Sequence, residues 1–133
     1  MSDHATKRAE HVELCIPAQA DLMVLARFTT ATVASRLGFS IDEIEDLRLA
    51  VDEICLSLLG ETPSGRLRLH ISSDAESLEI TGVHEDEGNV ATTPWEPHDE
   101  LSSRILAALV DEHGHGHIEG RRCAWLRKKL TST

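Results

Sequence analysis

The chain has 133 residues, enough for one domain with its own core and without metal or disulfide staples. Hydrophobic residues make up 41% and charged residues 27%, an ordinary soluble balance, while aromatics at 3% leave too few rings for a single-strand nucleic-acid binder and imply a core of Leu, Ile, Val and Ala. Net charge is −10, and because Arg121, Arg122, Arg127, Lys128 and Lys129 all follow the last acid, Glu119, the preceding body carries about −15, which repels nucleic acid and anionic membranes, attracts a basic surface, and also serves plain solubility.

Residues 1–10 are polar and read as a flexible tail; they lack the apolar stretch of a signal peptide. From His11 the alternation of Val12, Leu14 and Ile16 predicts a strand closed by Pro17. Leu22, Leu25, Ala26, Thr29 and Val33 recur at helical spacing, with Gly38 as the stop. Ser40 and Glu43 form a capping box that opens a second helix, with Ile41, Ile44, Leu47, Val51, Ile54 and Leu58 as its buried stripe. Two alternating segments follow, Leu67–Ile71 and Leu78–Gly82, joined by a short loop through Ser73, Asp74, Ala75 and Glu76.

From His84 to His98 no period survives, and a loop this long in a small domain is often functional. A third helix is predicted from about Asp99 to Glu112, with Leu101, Ile105, Ala108 and Leu109 on one face. A last hairpin, turning at Gly120, ends near Leu130. The order β-α-α-β-β-loop-α-β-β predicts an α/β two-layer sandwich, a mixed sheet of about five strands with three helices on one face, over residues 11–130. Cys15, Cys55 and Cys123 are odd in number, lack C-x-x-C spacing and sit in apolar stretches, so buried reduced thiols and a cytoplasmic protein are expected. No apolar run approaches the roughly 20 residues of a membrane span.

The helix segment Asp46-Leu47-Arg48-Leu49-Ala50-Val51-Asp52-Glu53-Ile54-Cys55-Leu56-Ser57 resembles the N-box helix of the anti-sigma-factor serine kinases, members of the GHKL, or histidine kinase-like, ATPase superfamily with its Bergerat-type fold. In that family the Glu, here Glu53, is the general base, and an Asn one turn later holds Mg²⁺. Residues i and i+4 share a helix face, so both can converge on one phosphate edge. Ser57 stands where the Asn would be. Ala26-Arg27 resembles an Ala-Arg pair on the family's first helix whose Arg contacts the sigma factor and its antagonist. Asp86-Glu87-Gly88-Asn89-Val90 fits the adenine-holding D-x-G-x-G turn with the last Gly lost, although His84 could equally take the Asp position. The phosphate-approaching glycine turn reads Glu100-Leu101-Ser102-Ser103, and the closing G-T-T reads Gly120-Arg121-Arg122. Glycine serves where backbone passes close to phosphate, and Glu100 would add a repelling charge.

The resemblance therefore implies an anti-sigma factor that sequesters an RNA polymerase sigma subunit and is released by an anti-sigma antagonist, a homodimer with no direct nucleic-acid or membrane contact. Nucleotide binding is expected to be weak or lost: Glu53 is a vestigial base, and Ser57, Asp86 and Gly88 are remnants. No cofactor is then required. The first alternative is an active ATP- and Mg²⁺-dependent protein serine kinase that phosphorylates the antagonist. The second is a ligand-sensing relative unrelated to sigma factors. Read without the family, Glu53 is a solvated acid among Glu45, Asp46 and Asp52, and Arg27 is a surface residue. His113, His115 and His117 share one strand face and could converge on a metal, but no Cys or acid with zinc spacing joins them, so a solvated or hydrogen-bonded set is expected. Trp95, between Pro94 and Pro97, is either a partner anchor or a plug for the cleft.

Overall fold

Alternating apolar residues and helical stripes fold here into five strands and three main helices. The computed structural model describes residues 10–60, 64–86 and 100–131. Strand β1 (Glu10–Pro17) is followed by a short 3-10 turn, helix α1 (Met23–Leu37) and helix α2 (Ile41–Leu59). Then come β2 (Arg66–Ser73), β3 (Ser77–Glu85), α3 (Glu100–Leu109), β4 (Glu112–Ile118) and β5 (Arg121–Lys129). The sheet order is β1-β2-β3-β5-β4. The expected α/β sandwich is what forms, and each of the four pairings is antiparallel. The sheet is not mixed because tight turns join β2 to β3 and β4 to β5, while α1 and α2, running out and back, return the chain antiparallel to β1. Of the tail read over residues 1–10, Glu10 already opens β1 and pairs with Arg36 at 2.6 Å; the remainder lies outside the described residues.

Local chemistry sets the boundaries. Gly38 ends α1 at φ 93°, a left-handed conformation that costs glycine little. The Ser40 hydroxyl accepts from the Glu43 amide at 3.1 Å, and the Glu43 carboxylate accepts from the Ser40 amide at 2.8 Å, so the predicted capping box is complete. The β4–β5 turn places Glu119 and Gly120 at φ 51° and 78°, which suits a two-residue hairpin. The third helix ends at Leu109, because Asp111 already donates its amide to Arg127 and Glu112 opens β4. Lys128 donates to the Leu109 carbonyl at 2.8 Å, a cation satisfying the C-terminal end of α3.

Leu47, Val51, Ile54 and Leu58 of α2 are fully buried against Leu67, Leu69, Ile71, Leu78, Ile80 and Leu126. Ile41 is instead 79% exposed: at the first helical position it projects beyond the sheet. On α1 the buried line is Met23, Ala26, Thr30, Val33 and Ala34, so Leu25 lies at the surface. On α3 it is Ser102 and Leu106, continued just past the helix by Val110, and Leu101 and Ala108 are exposed. On α1 the apolar residues run around more of the circumference than the core can cover, so spacing alone picked a neighbouring line. Gly82 of β3 lets α2 approach: a Cβ there would stand 2.9 Å from Leu58 Cδ1 and 3.0 Å from Leu69 Cδ2.

Burial pushes the Cys55 thiol up to about 12, and the Asp52 charge adds to the effect, so this sulfur is inert. Burial also raises Cys123. Cys15 departs from the expected buried thiol; it faces outward, half-buried, and accepts from Arg66 Nε at 3.2 Å. No helix among the described residues is long and apolar enough to cross a membrane.

Candidate functional site at the α2–α3 junction

Helix α2 presents Glu53 and, one turn later, Ser57 on one face, as their spacing requires. Helix α3 begins with Glu100 beside that face and turns Ser102 inward, to 8% exposure. Ser102 Oγ donates to Glu53 Oε2 at 2.7 Å, a charge-assisted bond across two helices. Glu53 is thus half-buried and held, rather than solvated. Sequence inspection placed Ser102 in the degenerate phosphate turn but missed this partnership, because the facing of two helices separated by 49 positions is a tertiary fact. Ser57 is 6% exposed. Glu100 points away, its side chain 84% exposed and 3.9 Å from Arg104.

At the far end of β3, alternation from Leu78, Ile80 and Gly82 carries His84 to the helix side, where it is 7% exposed. Its Nε2 donates to the Ser64 carbonyl at 2.7 Å. Asp86, just past the strand, accepts from Ser64 Oγ at 3.0 Å. Both candidates for the adenine-holding position therefore clasp the segment entering β2. Gly88, Trp95 and most of the loop after His84 lie outside the described residues. Arg122, from the altered closing motif, lies over Gly60 at the C-terminus of α2; a Cβ on Gly60 would be 3.4 Å from its Nη1. A guanidinium there suits the negative end of the helix.

Arg27 is not an isolated surface side chain. Its Nη1 pairs with Asp52 Oδ1 at 2.6 Å, both side chains 33% exposed, and this clamps α1 to α2. On α2 two exposed apolar side chains stand beside the clamp, Leu49 at 57% and Leu56 at 48%; on α1 Leu25 is 41% exposed, and Phe28, 65% exposed, faces a groove with Val12 and Arg36. Leu49 and Leu56 flank Asp52 at i−3 and i+4, on its helix face. Leu25 was expected in the α1 stripe, whereas Leu49 and Leu56 fall off the α2 stripe, a signal in the sequence that could have found them. The three β4 histidines pair opposite Leu126, Ala124 and Arg122 and do not bring their ring nitrogens into a metal-sized cluster.

No family profile matches the chain. A serine-protein kinase RsbW from Bacillus thuringiensis is 42% identical, in an alignment covering 86% of this chain and 82% of the relative. A serine-protein kinase RsbW from Bacillus anthracis is 28% identical over the same shares. The crystal structure of the RsbU and RsbW domains of Rv1364c from Mycobacterium tuberculosis superposes with a TM-score of 0.70 at 13% identity, over 93% of this chain and 33% of that longer one, which supports the fold. The N-box helix, the sandwich built around it and the 42% identity lead to one assignment: the chain belongs to the RsbW serine-protein kinase family.

Proposed function

We propose that the protein acts as an anti-sigma factor whose nucleotide site has weakened or been lost: it sequesters a sigma subunit of RNA polymerase and is released by an anti-sigma antagonist. The Ser102–Glu53 bond carries this reading. A base that must receive a proton from an attacking hydroxyl needs its carboxylate open to that hydroxyl. Here Ser102 occupies Glu53 from the place where the family brings glycine backbone to the phosphates. Ser57, nearly buried and short, offers less to Mg²⁺ than an amide oxygen. The residues present therefore fit Mg-ATP poorly.

The partner surface rests on α1 and α2. Leu49 and Leu56 flank the Arg27–Asp52 pair on α2, an apolar edge beside a charged centre, as interfaces have. The acidic body suits a sigma subunit, which is basic where it meets DNA. Self-association as a homodimer belongs to the same reading.

The decisive experiment combines two titrations. Calorimetry with Mg-ATP is expected to give no saturable heat at high micromolar concentration, while a sigma subunit of the host binds with or without nucleotide. Clean one-to-one Mg-ATP binding at low micromolar concentration would overturn the weakened site. One observation favours a kinase instead: Glu53 is retained in a chain 42% identical to a serine-protein kinase. Labelled ATP and the antagonist would then yield phosphoserine, and the label would vanish in Glu53→Ala.

A further inference from the structure

The face of the sheet turned away from the helices carries a second constellation. Along β1, His11 and Glu13 share that face, and β2 contributes His70 directly opposite Glu13. The His11 and His70 rings lie 5.5 Å apart between centroids, tilted by 41°. His70 Nδ1 is 3.4 Å from Glu13 Oε2. One ligand atom from each of the three residues falls within 4.8 Å of the others.

We propose that His11, Glu13 and His70 form a binding site for a divalent transition-metal ion of borderline softness, with Zn²⁺ as the reference case. Two imidazoles and one carboxylate are a donor set that such ions take, with a fourth position left for water or another ligand. Tetrahedral bonds of about 2.0–2.1 Å set ligand atoms roughly 3.3 Å apart. The Glu13–His70 pair already has that spacing, and a His11 ring nitrogen lies within 4.8 Å of both.

The surroundings support the ligands. Arg68 Nη1 donates to Glu13 Oε1 at 3.2 Å, which leaves Oε2 facing the imidazoles. The guanidinium charge does not oppose the ion alone, because Arg68 also grips both oxygens of Glu85, at 3.0 and 3.3 Å. Carboxylate orientation by a neighbouring donor is the usual second layer of a metal site. Both ligand-bearing strands are paired along their whole length, which holds the donors more tightly than a loop would. Beside the cluster lies a concavity of ≈ 430 Å³ lined by His11, His70, Thr81, Val83, Ile118 and Arg121, so the open coordination position has room for a ligand. The cluster lies across the sheet from Glu53 and owes nothing to nucleotide chemistry.

The test uses the untagged full chain and Zn²⁺ alone. Calorimetry is expected to show one ion per chain in the micromolar range, and the imidazole resonances of His11 and His70 to shift at the same ratio. His70→Ala and His11→Ala should each weaken binding at least about tenfold. The triple variant His113→Ala, His115→Ala, His117→Ala should retain it. Thermal melts without metal report whether each variant folds, and His11→Ala, at an exposed position, serves if His70→Ala does not. Three results would each overturn the site: no saturable binding at micromolar Zn²⁺, unchanged affinity in both single variants, or loss confined to the β4 triple variant.

Discussion

The Arg27–Asp52 pair makes a claim that can be measured without any partner. It joins α1 to α2 at 2.6 Å, with each side chain 33% exposed. Fully exposed pairs contribute about 0.2–1 kcal/mol, since water screens them and ordering two long side chains costs entropy. Short length and two-thirds burial place this one near the top of that range, at about 1 kcal/mol. Arg27→Ala should then lower Tm by about 4 °C, from the usual entropy of unfolding for a domain of this size. Urea unfolding of the wild type, Arg27→Ala, Asp52→Ala and the double variant gives the coupling directly. It should be about 1 kcal/mol and should shrink in molar salt. The same proteins separate structure from recognition. If Arg27 contacts the sigma subunit, Arg27→Ala should weaken that complex by about thirtyfold, roughly 2 kcal/mol, while Asp52→Ala releases the guanidinium and spares it. Additive single effects, within about 0.3 kcal/mol, would refute the clamp. Unchanged affinity in folded Arg27→Ala would remove it from the interface.

Other expectations follow from single contacts. Thr30 Oγ1 is buried and has no hydrogen-bond partner among the described residues, so Thr30→Val should stabilise by about 1 kcal/mol in chemical denaturation. Gly82→Ala places a Cβ 2.9 Å from Leu58 and should cost about 1–3 kcal/mol as α2 is pushed off the sheet, read as a lower urea midpoint with unchanged slope. Gly114→Ala would set a Cβ 2.7 Å from the Trp125 indole nitrogen, and a change in Trp125 fluorescence should accompany its loss of stability. The Glu43 carboxyl is held below its ordinary range by the Thr131 hydroxyl at 2.6 Å and then by the Ser40 amide. Its folded value is depressed, so the stabilisation is present above the carboxylate range and lost as pH falls through the folded value; melts of wild type and Glu43→Ala should converge in acid.

The order of elements, the start of α2, the hairpin at Gly120 and the family were all legible in the residues alone. Those features are local or periodic: Ser40 and Glu43 are three residues apart, strand alternation repeats every second residue, and the N-box is one helix. Which apolar residues are core was set by how the helices dock on the sheet. Leu25, Ile41 and Leu101 fit helical stripes yet are exposed, because the sheet covers one line per helix and the phase of that line depends on how the helix docks. Long-range pairing decided the chemistry as well. Ser102 meets Glu53, Arg27 meets Asp52, and His11 and Glu13 meet His70 across β1 and β2. Spacing along the chain singled out the β4 histidines, but Leu126, Ala124 and Arg122 stand opposite them on β5, and none of these offers a metal donor. A neighbouring strand brings its side chain to about 5 Å, and that register exists only once the sheet has formed.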